Sequence, residues 1–284
     1  MRFELYNDIK TFHSDVYEFL SKDEAKNMVF LGNLSVGLSG DDLTGWRDPM
    51  NWVMASVKCD GRVVLAALMI PDDRLQLCAY EDFSPDAISV LVNGLKSAGV
   101  TLQGVCAEHI LAETFAKIYG GAYSAEYEVV KKGRIYRLEH INERVITNSK
   151  IRLAEKKDLA FLPFWWNGFF ECFDPLNDTS INEYERLIST KALYILEDNG
   201  IPVSMARIDQ RLGRICGIGM VYTPPYFRNQ GYATAITASL TKLCLDGGYF
   251  TALTTDLSNP VSNSIYQKMG YMSVCDTLEI DFCY

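Results

Sequence analysis

The sequence predicts a mixed α/β protein (α+β, built on a mixed sheet) of two domains, on three observations. Runs of strand-like alternation and of helix-like periodicity follow one another in the same order twice along the chain. The chain has 284 residues, 48% hydrophobic and 22% charged, which suits two apolar cores and excludes a disordered protein. A polar stretch, residues 139–150, separates the halves. The expected domains are therefore residues 1–145 and 146–284.

In the second half, 151–153 reads as a leading strand, and 157–173 and 181–189 as helices. Runs 192–197, 203–209 and 214–222 form a meander of three strands, punctuated by the turn signals Asn199-Gly200 and 210–213. Ala233, Ile236, Leu240 and Leu243 mark a helix over about 230–245, and Gly247-Gly248 stop it. Residues 250–255 then read as a strand. Asn259 suits an N-cap, Pro260 a first helical position and Gly270 a helix stop, with 271–282 as the last strand. The first half repeats this order: helices 9–21 and 24–38, strands 52–58, 63–70 and 75–80, a helix 85–98, a strand 102–106, a helix 108–119 and strands up to 138.

The junction after the third meander strand carries the most chemistry. Val221-Tyr222-Thr223 ends an apolar run, and Arg228-Asn229-Gln230-Gly231-Tyr232-Ala233-Thr234 opens the helix. A helix start has unpaired backbone N–H groups and partial positive charge, so an anion docks there. Gly231 and Ala233 are small enough to let phosphate reach those amides, and Gly231 can take angles denied to other residues. The run lacks the Gly-x-Gly-x-x-Gly of a dinucleotide site and the Gly-Lys-Ser/Thr of a Walker loop. Further on, Asn259, Asn263 and Tyr266 fall at i, i+4 and i+7 on one helix face, beside Ser262, Ile265 and Met269 on a face that can pack inward.

In this order and spacing the two segments resemble the GNAT superfamily of N-acetyltransferases. Arg228-x-x-Gly231-x-Ala233 is similar to the Arg/Gln-x-x-Gly-x-Gly/Ala signature that binds the pyrophosphate of acetyl-coenzyme A, and the Asn263–Tyr266 helix is similar to the one that follows the family's fifth strand. The resemblance is strongest from Ala206 onward. The first half looks like a second, degenerate unit of the same kind, so the implied architecture is two GNAT-like acyl-CoA N-acyltransferase domains in tandem. In place of the signature it has Glu81-Asp82-Phe83-Ser84-Pro85-Asp86, whose carboxylates repel a pyrophosphate. An unrelated mixed domain is the alternative for that half.

The resemblance implies direct transfer of an acetyl group from acetyl-CoA to a primary amine of a small molecule or peptide. It implies coenzyme contacts from Met220, Val221, Thr223, Arg228, Asn229, Gln230, Gly231, Tyr232, Ala233, Thr234, Asn259, Asn263 and Tyr266. The family splays a strand by a bulge at the position of Gly219-Met220-Val221 and offers a backbone N–H to the thioester carbonyl. Tyr266 is the implied acid that receives the leaving thiolate. Acceptor-side candidates are Trp166, Phe170 and Glu171, in and just after the aromatic segment 161–170, together with Asp256 at a strand end; Glu279 is a further carboxylate to consider. For the aromatic segment a buried helix is the competing reading. No general base is assigned. A non-catalytic acyl-CoA sensor or partner-binding module is the alternative function, and Tyr266 favours catalysis because sensing needs no leaving-group acid.

Other features remove options. Net charge of −9 argues against a nucleic-acid surface and favours a cationic amine as acceptor. Eight cysteines without Cys-x-x-Cys, several in apolar runs, read as buried reduced thiols with neither zinc nor a disulfide framework. The histidines, His13, His109 and His140, share no ligand spacing, so no metal is expected. The N-terminus has no signal-peptide core and no stretch approaches a membrane span, which places the protein in the cytoplasm with no membrane partner. Homo-oligomerisation through the first half is left open.

Overall fold

A computed structural model describes residues 1–39, 47–80, 82–145, 149–170 and 181–284. In chain order its elements are β1 (Arg2–Tyr6), α1 (Ile9–Leu20), α2 (Met28–Leu38), β2 (Val53–Cys59), β3 (Arg62–Met69), β4 (Leu75–Cys78), α3 (Pro85–Ser97), β5 (Gly104–Glu108), α4 (His109–Tyr123) and β6 (Glu126–Leu138). They continue with β7 (Lys150–Leu153), α5 (Leu162–Phe170), α6 (Ile181–Ser189), β8 (Leu193–Asp198), β9 (Ile201–Leu212), β10 (Ile215–Tyr222), α7 (Tyr232–Asp246), β11 (Phe250–Asp256), α8 (Pro260–Met269) and β12 (Met272–Cys283). The order β-α-α-β-β-β-α-β-α-β thus occurs twice.

The contacts divide the chain into two units: Met1–Tyr136, Thr254–Pro260 and Ser273–Tyr284 in the first, and Arg137–Leu253 and Val261–Met272 in the second. In the first unit the strands run β1-β2-β3-β4-β5-β12-β6. β4 and β5 are parallel, as the crossover helix α3 requires. Helices α3 and α4 bury Ile88, Leu91, Leu95, Leu111 and Phe115 against Val57, Leu65, Leu75 and Val105 of the sheet.

Two features of this unit differ from the sequence expectation. β1 was not anticipated: it is a five-residue edge strand in which only Tyr6 is buried, too short to display a periodic pattern. The last strand forms over the expected residues but joins the first unit, antiparallel to β5 from Thr277↔Glu108 to Asp281↔Gly104. Leu278, Ile280 and Phe282 lie on one face of β12 and enter the α3–α4 core.

In the second unit the strands run β11-β10-β9-β8-β7, with β10 and β11 parallel and the other pairs antiparallel. One face packs Leu162, Trp165, Trp166 and Leu187 of α5 and α6 onto Leu193, Ile195, Met205, Met220 and Tyr222. The other packs Ala235, Ile236, Leu240 and Cys244 of α7 onto Val203, Ala206, Ile208, Cys216 and Ile218. The alternation of Met205 with Ala206 shows the period-2 logic of a strand covered on both faces. The expectation of reduced thiols throughout is corrected at one pair: Cys216 and Cys244 form a disulfide, their Cα atoms 6.2 Å apart where β10 faces α7. Cys59, Cys78, Cys106, Cys275 and Cys283 are free. Among the described residues, no helix is long and apolar enough to cross a membrane, and no group of three His, Cys, Asp or Glu gathers to hold a metal.

Candidate active site

The site is built around the exit of β10. Its parallel ladder with β11 runs from Ile215↔Phe250 to Gly217↔Ala252 and stops there, although β10 continues to Tyr222. On the other side, pairing with β9 passes from Gly219↔Arg207 to Tyr222↔Met205, so Met220 and Val221 stand opposite Ala206 alone. This is a bulge at the expected residues. Met220 takes a left-handed backbone (φ 51°), which is strained for a side chain of its kind. Its side chain is buried with Trp165, Trp166, Met205 and Tyr222, and that packing offsets the strain.

Past the bulge the chain is pinned. Ser204 Oγ bonds the Tyr222 carbonyl at 2.8 Å and lies 3.0 Å from the Thr223 hydroxyl, and Arg228 Nε donates to the Thr223 carbonyl at 3.0 Å. Arg228 therefore braces the turn with one nitrogen while its side chain remains in solvent. Asn229 (φ 63°) and Gly231 (φ 82°) are both left-handed, flanking Gln230 at the start of α7. A Cβ on Gly231 would meet nothing within 4 Å, so the space in front of it is open. The first backbone bond of α7 runs from the Ala235 amide to the Gly231 carbonyl at 2.9 Å, which leaves the Tyr232, Ala233 and Thr234 amides at the helix end. The Tyr232 hydroxyl donates to Asp198 at 2.6 Å and lies 3.2 Å from Gln230 Oε1, so these two side chains engage protein.

On α8, Tyr266 is buried against Tyr271, ring centroids 5.9 Å apart. Burial, reinforced by the neighbouring Tyr271, pushes its hydroxyl well above the ordinary phenol range. Tyr266 is therefore protonated at any physiological pH. Asn263 lies one turn before it and is half-buried. Asn259 precedes the helix, its amide bonded to the Asp256 carbonyl at 3.1 Å. Asp256 closes the same turn, its carboxylate accepting the Ser258 amide at 2.7 Å.

Residues 160–271 match the model of the acetyltransferase (GNAT) family. That segment, which takes in β10, α7 and α8, is similar to a GNAT domain. Solved structures share the fold over the whole chain: an acetyltransferase from the GNAT family from Colwellia psychrerythraea (15% identical, 100% of each chain covered, TM-score 0.58) and a Drosophila protein (12% identical, 98% of this chain and 97% of the other, TM-score 0.67). A GCN5-related glucosamine N-acetyltransferase region of a fungal multi-domain GH3 β-N-acetylglucosaminidase aligns over 98% of this chain and 38% of its own, at 10% identity and a TM-score of 0.53. A search of curated protein sequences finds no match. The similarity to that family model supports acyl transfer in general, with acyl-CoA as the co-substrate typical of that family.

The acceptor-side candidates separate. Trp166 is buried in the α5 core and packs on Phe170 at 4.6 Å between ring centroids, so it supports the bulge through Met220. Gly168 permits that packing: a Cβ there would stand 2.1 Å from the Tyr222 hydroxyl. Glu171 lies outside the described residues. Glu279 pairs with Arg74 and Lys131 in the first unit, at 3.0 and 2.8 Å. The structure also brings up a carboxylate that sequence reasoning missed. Asp209 of β9 lies across Gly217 and Gly219 of β10, its Oδ2 2.9 Å from where a Cβ of Gly219 would be. The signal was the alternation Gly217-x-Gly219, which empties one face of a strand for a neighbour's side chain.

Proposed function

We propose that the protein is an acetyl-CoA-dependent N-acetyltransferase that moves an acetyl group directly to a primary amine. The observation that carries this reading is the bulge at Met220-Val221, where β10 has already parted from β11 and backbone amides are released from the ladder beside a left-handed helix start. In this reading the Met220 and Val221 backbone receives the thioester carbonyl as it gains charge. The Val221 and Thr223 backbone flanks the pantetheine arm, and the amides from Gly231 to Thr234 hold the pyrophosphate, with Arg228 and Asn229 shaping the turn. Asn263 approaches the coenzyme arm. Tyr266 donates a hydrogen bond to the departing thiolate. The first unit, with acidic residues ahead of α3, supports no second coenzyme site.

Calorimetric titration of acetyl-CoA into the wild type and a Gly231→Glu variant tests this. One site per chain, lost in the variant, is the expected result, because a carboxylate would fill the opening and repel the pyrophosphate. Absence of binding to the wild type would overturn the coenzyme assignment. Two sites would overturn the reading of the first unit.

A further inference from the structure

β9 and β10 are irregular twice. Besides the bulge at Met220, the register passes from Cys216↔Arg211 to Ile218↔Ile208, which sets Asp209 and Gln210 opposite Gly217 alone. A bulge of this kind re-aims the side chain it carries. The Asp209 carboxylate turns onto β10: a Cβ on Gly217 would lie 2.9 Å from Asp209 Cβ and 3.3 Å from its Oδ2, and a Cβ on Gly219 would lie 2.9 Å from Oδ2. The carboxylate thus occupies the room that the two glycines leave vacant.

Its two oxygens are used differently. Oδ1 accepts Arg207 Nε at 2.5 Å. Oδ2 accepts no hydrogen bond from the described residues, and the side chain keeps 33% of its surface exposed. Arg207 therefore anchors the group through one oxygen and leaves the other presented. Met205, Arg207 and Asp209 share the face of β9 on which Met205 packs with Trp165, Met220 and Tyr222, whereas Ala206 and Ile208 face α7. Asp209 Oδ2 is consequently beside the residue that precedes the Met220 bulge, on the face away from the helix that opens with Gly231.

We propose that Asp209 binds the ammonium of the acceptor, and that Arg207 is the positioning residue that orients it. The inference rests on the acyl-transfer reading and deepens it by naming the recognition group. It also fixes a substrate class. The Arg207 guanidinium shares the same carboxylate, so a second positive charge close to the reacting amine is repelled. The acceptor is a primary amine whose neighbouring carbons carry no further cation.

The test measures thiol release from acetyl-CoA with benzylamine, tyramine, glucosamine, putrescine and spermidine, for the wild type and for Asp209→Asn, Asp209→Glu, Arg207→Lys and Gly219→Ala. Asp209→Asn is expected to raise the KM for the preferred amine by about tenfold or more, the scale of a lost hydrogen bond to a charged group. The calorimetric Kd for acetyl-CoA should stay within about twofold. Asp209→Glu should recover part of the loss, and Arg207→Lys, which keeps the charge but not the fork that holds Oδ1, should raise the KM by less than Asp209→Asn does. Gly219→Ala should reproduce it with the carboxylate present, because its methyl displaces Oδ2. An amine KM unchanged in both Asp209→Asn and Gly219→Ala overturns the inference, as does a higher kcat/KM for spermidine than for every monoamine. Acetyl-CoA bound by the wild type without thiol release on any amine overturns the acyl-transfer reading and this inference with it. Release that is indifferent to Asp209 overturns the inference alone.

Discussion

Tyr266 shows how a single side chain's environment narrows its chemistry. A phenol at its reference value is about 1.5 units less acidic than a thiol, so full proton transfer to a thiolate is already uphill by roughly 2 kcal/mol. Burial against Tyr271 widens that gap. In the proposed reaction the role left to Tyr266 is donation of a hydrogen bond to developing negative charge, which burial strengthens. Tyr266→Phe should therefore lower kcat by about 10²-fold while leaving acetyl-CoA affinity nearly intact. Steady-state kinetics paired with calorimetry check this, and undiminished turnover would remove Tyr266 from the mechanism. The left-handed backbone of Gly231 and the place of Tyr266 on α8 were legible in the sequence because they are local: a left-handed helix start needs glycine, and a helical period sets a face. Asp209 was not, because its meaning depends on the β9–β10 register, which two bulges shift and no local pattern records.

At the scale of elements, the burial of Leu162, Trp165 and Trp166 within 161–170 follows from what lies under them. An aromatic run serves a binding surface and a buried helix equally well, and Trp166 entered the core because Met220 and Tyr222 present apolar side chains to α5. The approach to α5 is fixed by Arg152 of β7, which holds Asp158 through two bonds of 2.6 and 2.9 Å and Glu197 of β8 through a third of 2.6 Å. Asp158 also accepts the Glu155 amide at 2.8 Å. Burial by itself would raise the Asp158 carboxyl, but the guanidinium and that amide outweigh it and hold the carboxyl below its ordinary value. A carboxyl lowered by folding contributes stability that is complete above its unfolded value near 4 and is lost as pH falls through the folded value. Asp158→Asn should cost on the order of 2–3 kcal/mol at neutral pH, less than a fully buried pair because Arg152 keeps Glu197 and some contact with water. Thermal melts from pH 7 down to about 3 should show the variant less stable at the top and losing less on acidification. Parallel curves would mean that the clamp is not set by the ionised carboxylate.

For the whole molecule, the repeated element order was legible but the allocation of the last strand was not. Chain order favours placing β12 with the elements just before it, since sequential elements are usually neighbours. Its alternation of Leu278, Ile280 and Phe282 announces a strand with one apolar face and says nothing about which core that face enters. The structure gives those three side chains to the first unit, beside β5, while the second unit's own residues end at Met272. A chain truncated after Met272 should therefore damage the first unit selectively. Burial of a large apolar side chain is worth about 1.5–3 kcal/mol, so losing these three removes stability comparable to the whole margin of a typical domain. The β5 edge would also be left unpaired, exposing backbone groups that β12 now satisfies. Hydrogen exchange should show protection collapsing in β2–β5, α3 and α4 while α7 and β8–β10 retain theirs. A synthetic peptide of residues 273–284 added in trans should restore part of the lost protection. Uniform loss across both units, or none, would show that β12 is not the element on which the first unit's core depends.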